Sequence, residues 1–122
     1  MGLQRIEHVQ LAMPPGREDE ARIFYEGVLG IPHVGKPPHL ALRGGCWFEN
    51  GDLKIHLGVE SDFRSATKAH PAFLVDGLAD VIAEVRRGGY RVVDDEALDG
   101  YDRVYVYDPF GNRIELMEPH RI

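Results

Sequence analysis

The stretch Asp108-Pro109-Phe110-Gly111-Asn112-Arg113-Ile114-Glu115-Leu116 joins a turn to the beginning of an alternating segment. Its first five residues include proline, glycine, aspartate and asparagine, which favour the backbone angles of tight turns. On either side of this turn, residues 103–107 and 113–118 carry apolar side chains at every second position. Because side chains alternate between the two faces of a strand, this pattern predicts two strands joined by the turn.

The residues before these two strands complete one half of the chain. Residues 70–75 predict a strand, and Leu78–Arg87 predicts a helix with one apolar stripe that ends at the glycine pair 88–89. Residues 90–93 predict another strand. The segment 94–102 fits either a continuation of that strand or a mobile loop over a site. The second half therefore has the order β-α-β-β-β.

The first half shows the same order of elements. It begins with an alternating strand over residues 6–13, followed by a helix over 18–29. Three strand candidates then cover residues 39–43, 46–49 and 53–59, separated by Gly-Gly and Asn-Gly turns. The sequence thus predicts an α+β fold with two βαβββ modules in tandem, at about 1–60 and 68–122, within a single domain spanning 1–122.

Composition excludes several classes of protein. A chain of 122 residues with 43% hydrophobic and 28% charged residues is sufficient for one packed domain. Its 14 basic and 20 acidic residues give a net charge of -6, which argues against nucleic acid as a partner. Cys46 is the single cysteine, so no intrachain disulfide can form. With no apolar run of about 18 residues and no signal-like start, we expect no membrane association and a reducing, cytoplasmic location.

The repeat places metal-ligand side chains at matching positions. His8 and His70 fall in the first strand of each half, and His56 and Glu115 fall in the last. A single histidine on a strand face is ordinarily solvated, but repetition at equivalent positions favours a shared site. Three histidines and a carboxylate fit a divalent metal ion such as Fe, Zn, Ni, Co or Mn, and two histidines with a carboxylate also fit non-haem iron.

These residues belong to a predicted polar strand face, opposite the apolar one. If the helices cover the apolar faces, the polar faces can form a concave binding surface. Arg103 and Tyr105 are candidates for orienting an anionic group, with a solvated arginine and an edge tyrosine as the alternative. Lys54 and Trp47 are further candidates for contacting substrate. The remaining histidines, at positions 33, 39 and 120, are predicted to be surface or loop residues.

Three stretches carry a resemblance to a known family. Residues 6–11, 24–30 and 108–116 resemble the vicinal oxygen chelate superfamily, which includes glyoxalase I, methylmalonyl-CoA epimerase, extradiol dioxygenases, fosfomycin-resistance transferases and bleomycin-resistance proteins. The resemblance covers nearly the whole chain. It implies a cup-shaped, open mixed β-barrel with helices outside, a homodimer, and a divalent metal ion that chelates vicinal oxygens of the substrate. The ligand positions in that pattern fall on His8, His56, His70 and Glu115.

One position departs from two members of that family. Where His56 stands, glyoxalase I typically has a carboxylate and the epimerase an amide. His8, His70 and Glu115 match the set of the ring-cleaving dioxygenases, which are usually longer.

The sequence therefore predicts a small metal-dependent lyase, isomerase or dioxygenase acting through an enolate or oxyanion. Glu115 and His56 are its catalytic candidates, with His56 a fourth ligand or a base. The alternative is a protein that sequesters a small molecule without catalysis, as bleomycin-resistance members do.

Overall fold

A computed structural model describes residues 1–121 and divides the chain after Arg64 into two units. The first unit contains β1 (Val9–Met13), α1 (Glu18–Arg22), a π-helical segment (Ile23–Val28), β2 (His33–Val34), α2 (Pro38–Ala41), β3 (Cys46–Asn50) and β4 (Leu53–Val59). The second contains β5 (Ala72–Leu74), α3 (Leu78–Arg87), β6 (Val92–Asp94), β7 (Tyr101–Tyr107) and β8 (Arg113–Pro119). Apart from the short α2, both units follow the predicted order.

Each unit forms its own four-stranded mixed sheet with the same topology. The strand orders are β1-β4-β3-β2 and β5-β8-β7-β6. In each sheet the first strand runs parallel to the last strand of the unit, and the other pairs are antiparallel. The predicted α+β fold with two repeated modules is confirmed.

The two sheets can be aligned by their register. His56 in β4 pairs with Gln10 on one side and Trp47 on the other. Glu115 in β8 pairs with Ala72 and Tyr105 in the same way. His56 and Glu115 therefore occupy equivalent central positions in the two sheets.

The apolar strand faces and the helices form the core of each unit, as the alternation predicts. In the first unit the fully buried side chains include Met13, Phe24, Tyr25, Phe48 and Ile55. In the second they include Val85, Val106 and Ile114. Burying one face of each strand leaves the opposite face for polar residues.

The strand predicted over residues 39–43 is wrong. Residues 38–41 form the short helix α2, whose N-cap Pro37 has φ -53° and ψ 143°, so that Pro38 stands at the first helical position. Proline is favoured there because its fixed φ suits the helix and its missing N–H is not needed. The strand lies earlier, at His33–Val34, where His33 pairs with Phe48. His33 is therefore part of the sheet and not a loop residue.

The segment 94–102 is for the most part a loop. It leaves β6 after Asp94, contains an isolated bridge between Leu98 and Tyr101, and enters β7 at Tyr101. The loop matters for the site because it carries Asp95, whose contacts are given below.

The turn that precedes β8 is held by buried side chains. The carboxylate of Asp108 accepts the backbone N–H groups of Phe110 and Asn112, both at 2.9 Å. The side-chain amide of Asn112 donates to Asp108 Oδ2 at 2.9 Å, and its oxygen accepts the N–H of Ala66 at 2.9 Å. Buried polar groups need such partners. The turn thereby fixes where β8 begins and which face Glu115 occupies.

In the part of the chain that the structure describes, no helix is both long enough and apolar enough to cross a membrane.

Candidate functional site

In the first unit the polar sheet face carries a stack of three aromatic rings. The imidazole of His56, only 5% exposed, lies between the ring of Trp47 at 4.2 Å and that of His8 at 4.3 Å. The planes are nearly parallel, at 5° and 21°. His8 lies one residue before β1, so the structure places it beside the strand predicted to contain it. The stack fixes the orientation of the His56 ring.

A carboxylate that was not among the predicted site residues binds His56. Glu49 Oε2 lies 2.8 Å from His56 Nε2. An ionised carboxylate can only accept a hydrogen bond, so this contact needs a proton on His56 Nε2. The alternation of β3 puts Trp47 and Glu49 on one face, and that signal could have identified Glu49 from the sequence.

Lys54, a predicted substrate contact, is engaged by an acidic neighbour. Its Nζ lies 2.5 Å from Glu7 Oε2, and the other oxygen of Glu7 lies 3.3 Å from His8 Nδ1. The hydrogen bond to Glu7 raises the pKa of Lys54, and the same bond lowers the pKa of Glu7. The charge of Lys54 is therefore compensated within the unit.

A cavity of about 190 Å³ adjoins Trp47 on this face, and Gln10, Lys36, Arg43 and Gly58 contribute to its lining. A side chain at Gly58 would come within 2.5 Å of Gln10 Nε2. Glycine in a strand interior often allows such a close approach. Here the absent side chain leaves room for the Gln10 amide.

In the second unit His70 and Glu115 meet directly. His70 Nε2 lies 2.9 Å from Glu115 Oε1, and His70 Nδ1 lies 2.9 Å from the backbone oxygen of Lys68. His70 lies two residues before β5, not inside the predicted strand. Both of its partners are groups that only accept hydrogen bonds. Each ring nitrogen of His70 therefore faces a hydrogen-bond acceptor.

Arg103, predicted to orient an anionic group, is held by carboxylates. Its Nη1 lies 3.1 Å from Glu115 Oε2 and 2.9 Å from Asp95 Oδ2, and its Nε donates to the backbone oxygen of Glu96 at 2.9 Å. The hydrogen bond to Glu115 raises the pKa of Arg103. Asp95 comes from the loop after β6, so the strand pattern gave no signal for it.

Tyr105 stands beside the same group. Its ring meets that of His70 edge-on at 5.2 Å, and β-pairing places it opposite Glu115. Desolvation is the main cause that raises the pKa of the Tyr105 phenol, and a hydrogen bond with Asp95 adds to it. The phenol therefore stays protonated at neutral pH.

The structure thus brings the four predicted metal ligands together in two pairs, one in each unit. His8 contacts His56 in the first, and His70 contacts Glu115 in the second. Among residues 1–121, no three His, Cys, Asp or Glu side chains form a group that could hold a metal ion. The four-ligand set stays a prediction.

Comparison with known proteins gives a family match over most of the chain. The model of the Glyoxalase/Bleomycin resistance protein/Dioxygenase superfamily matches residues 5–116. A crystal structure described as a glyoxalase family protein from Bacillus anthracis is 48% identical, with a TM-score of 0.92 and 98% coverage of both chains. No curated protein matches the sequence.

Two more distant structures share the fold. A glyoxalase/dioxygenase from Nostoc punctiforme is 20% identical, with a TM-score of 0.77 and coverage of 97% of this chain and 92% of that one. The fosfomycin resistance protein FosX from Listeria monocytogenes is 14% identical, with a TM-score of 0.75 and coverage of 99% and 95%.

Proposed function

Because the chain belongs to the glyoxalase/bleomycin resistance protein/dioxygenase superfamily, we propose that it is a metal-dependent enzyme acting on a small molecule with two adjacent oxygen atoms. The observation that carries this proposal is the placement of His70 between two acceptors, the Lys68 carbonyl and the Glu115 carboxylate. Histidines that bind metals commonly donate their other N–H to a backbone carbonyl, which fixes the ring. The arrangement of His70 fits that role.

The donor set also fits a divalent first-row metal. Imidazole nitrogen and carboxylate oxygen are suitable ligands for iron, zinc, nickel, cobalt or manganese. His70 Nε2 and Glu115 Oε1 would hold the ion from the second unit, and the repeat adds His8 and His56 as the further ligands. When bound, such an ion supplies Lewis-acid stabilisation of negative charge on the substrate oxygens.

The alternative role of His56 is that of a general base. With Nε2–H donated to Glu49, its Nδ1 is available to accept a proton from carbon or oxygen of the substrate. Glu49 favours the positive charge that His56 then carries, and Trp47 and His8 hold the ring in plane-to-plane contact. This base would serve the lyase and isomerase types of reaction.

Arg103 acts through Glu115 in this proposal. Its guanidinium binds the Glu115 oxygen that does not face His70, so that Oε1 stays directed at the histidine. Asp95 in turn binds the same Nη1 of Arg103. Tyr105, kept protonated, donates its phenol O–H to Asp95, so a substrate oxygen would have to displace Asp95 to receive this hydrogen bond.

The test is the metal content of untagged protein purified without chelators, measured by elemental mass spectrometry. We expect close to one ion per chain, lost in His70→Ala and Glu115→Ala. The matched control is His120→Ala, because His120 also pairs with a carboxylate, Asp102 at 3.0 Å, but both are exposed. That control should keep its metal.

The identity of the ion separates the reaction types. Iron would favour oxygen-dependent dioxygenase chemistry, whereas zinc, nickel, cobalt or manganese would favour lyase or isomerase chemistry. Failure to bind any of these metals after reconstitution would overturn the proposal in favour of a sequestering, non-catalytic binding protein.

We also propose that the chain forms a homodimer. The apolar side chains of Leu3 and Ile6 are largely exposed just before β1, which is an edge strand of its sheet. Exposed edges and apolar side chains are commonly covered by a partner. Light scattering at micromolar concentration should give twice the chain mass of 13.7 kDa, and a monomeric mass would contradict the assignment.

A further inference from the structure

We propose that Arg113 forms a subsite for a compact oxyanion, namely a carboxylate, phosphonate or phosphate group of the substrate, on the polar face of the second sheet. The identification of this anion as part of the substrate rests on the proposed function. The binding of the anion to Arg113 does not, because it follows from charge and geometry within the second unit alone.

The other strand cations on the polar faces are compensated by carboxylates. Lys54 in β4 is paired with Glu7, and Arg103 in β7 is paired with Asp95 and Glu115. Among residues 1–121, no carboxylate lies within ion-pair distance of the Arg113 guanidinium, and its hydrogen bond runs from Nε to the Tyr107 hydroxyl at 3.1 Å. In a chain of net charge -6, a half-buried arginine without a carboxylate partner is a suitable binding group for an anion that the chain itself does not supply.

The repeat explains how this arginine comes to lack a partner. Arg113 stands two residues before Glu115, as Lys54 stands two residues before His56, and those two strand centres are equivalent by register. Counting back along the sequence by the same offset, Glu7, which neutralises Lys54, corresponds to Ala69, although the β5–β8 pairing begins at Ala72 and the Arg113 N–H binds the backbone oxygen of Ala66. The second unit therefore keeps the cation, and the residue that matches the counter-ion in sequence is an alanine.

Two tyrosines hold the guanidinium in place. The Arg113 Cζ lies 4.4 Å from the centre of the Tyr105 ring and 5.7 Å from that of Tyr107. A second cation, Arg91, lies 4.7 Å from the centre of the Tyr107 ring. Because Nε is used by Tyr107, the terminal amino groups are the fork that can bind two oxygens of one oxyanion. Stacking lowers the entropy lost when the anion binds.

The position of the subsite suits a small substrate. Arg113 and Glu115 are on the same face of β8 and two residues apart, which corresponds to about 7 Å along a strand. A molecule of a few carbon atoms with a charged end could reach Arg113 while its two adjacent oxygens lie near Glu115. This would make Arg113 a residue that selects anionic substrates.

The test uses inorganic phosphate and methylphosphonate as probes, with binding measured by calorimetry and by NMR of the arginine side-chain Nε–H signals. The protein is dialysed against a chelator, and the His70→Ala variant is measured in parallel, so that an anion bound through a metal is recognised. We expect saturable binding in both samples, with the Arg113 Nε–H signal shifting. Binding that disappears with the metal or with His70 would overturn the subsite but leave the proposed function intact.

Two variants remove the site in different ways. Arg113→Gln deletes the cation and should weaken phosphate binding roughly ten- to hundredfold. Ala69→Glu leaves Arg113 in place and supplies the carboxylate found in the first unit, so it should weaken binding to a similar degree while circular dichroism shows a folded protein. Arg86→Gln on α3 is the charge-matched control and should bind like wild type.

A gain-of-site variant completes the test. Glu7→Ala frees Lys54 from its partner, and the repeat then predicts a second, weaker phosphate site, visible as increased binding stoichiometry. Wild-type affinity in Arg113→Gln, or equal losses in Arg113→Gln and Arg86→Gln, would refute the assignment of the anion to Arg113.

Discussion

Replacing Asn112 with aspartate should make the turn between β7 and β8 sensitive to pH. Asn112 is fully buried, and its amide donates to Asp108 Oδ2 at 2.9 Å, where Asp108 is itself only 4% exposed. The variant places a second carboxyl group at the donor's position. The bond from the Ala66 N–H survives, because a carboxylate oxygen also accepts it.

The size of the destabilisation in Asn112→Asp follows from the loss of one hydrogen-bond donor and the gain of one negative charge. A hydrogen bond to a charged group contributes about 1.5–3 kcal/mol, and two adjacent carboxylates cannot both ionise without further cost. They keep one shared proton, so its pKa in the folded state lies above that of an aspartate in the unfolded chain. Because the pKa of the shared proton is higher in the folded state, this proton contributes its full stability at pH values below the unfolded pKa. That contribution is lost as the pH rises through the folded pKa. We therefore expect a deficit of about 3 kcal/mol at pH 8 and a clearly smaller one at pH 5.

The assay is urea unfolding followed by circular dichroism at both pH values, for wild type and variant. Asn50→Asp is the control, because Asn50 is exposed at the end of β3 and undergoes the same chemical change. Its free energy of unfolding should change by less than about 0.5 kcal/mol. An Asn112→Asp deficit that is equal at pH 5 and pH 8 would refute the shared-proton argument.

Three further predictions concern stability and reactivity. Burial raises the pKa of the Cys46 thiol to about 11, so Ellman's reagent should label the native protein far more slowly than the urea-unfolded chain at pH 8. Because the unfolded thiol ionises first, urea titrations should show stability falling from pH 9 to 11, and Cys46→Ala should remove that component. Glu118→Gln should cost about 1 kcal/mol in urea unfolding, since the carboxylate accepts the backbone N–H of Gly77 at 2.5 Å at the start of α3; an unchanged midpoint would contradict this. Gly45→Ala should lower the unfolding free energy by more than about 3 kcal/mol, but Gly30→Ala by only about 1 kcal/mol. Both glycines have positive φ, but only a Cβ at position 45 would meet a backbone oxygen, that of Leu57, at 2.1 Å. Equal losses would refute the steric argument.

The repeat allowed most of the fold to be predicted from the sequence. Alternation in residues 53–59 and 113–118, together with the helical stripe of Leu78–Arg87, corresponds to strands and a helix in the structure. The error at residues 39–43 has a local cause, since the apolar residues there fit a strand pattern but follow two prolines that start a helix. The two-residue strand at His33–Val34 is too short to show any periodicity.

The candidate site was predicted only in part, because some of its contacts come from an irregular loop and not from the periodic strands. His70 and Glu115, which are in contact, come from the beginning and the last strand of the second module. Their matching positions in the two halves of the sequence identified both residues. The compensation of Arg103 by Asp95 depends on where an irregular loop returns, and no periodic pattern records that. Glu49 could have been predicted from the sequence, because it shares a strand face with Trp47, which was a predicted substrate contact.

The order of strands in each sheet has a consequence for synthesis on the ribosome. β1 has β4 as its sheet neighbour, and β4 is the last strand of its unit to be translated. Until residues 53–59 leave the exit tunnel, β1 therefore carries Leu11 and Met13 with no strand to pair with, and the same delay recurs between β5 and β8. Each module must fold nearly all at once after its final strand emerges. A pause in translation just before either strand would prolong the exposure of those apolar side chains to chaperones.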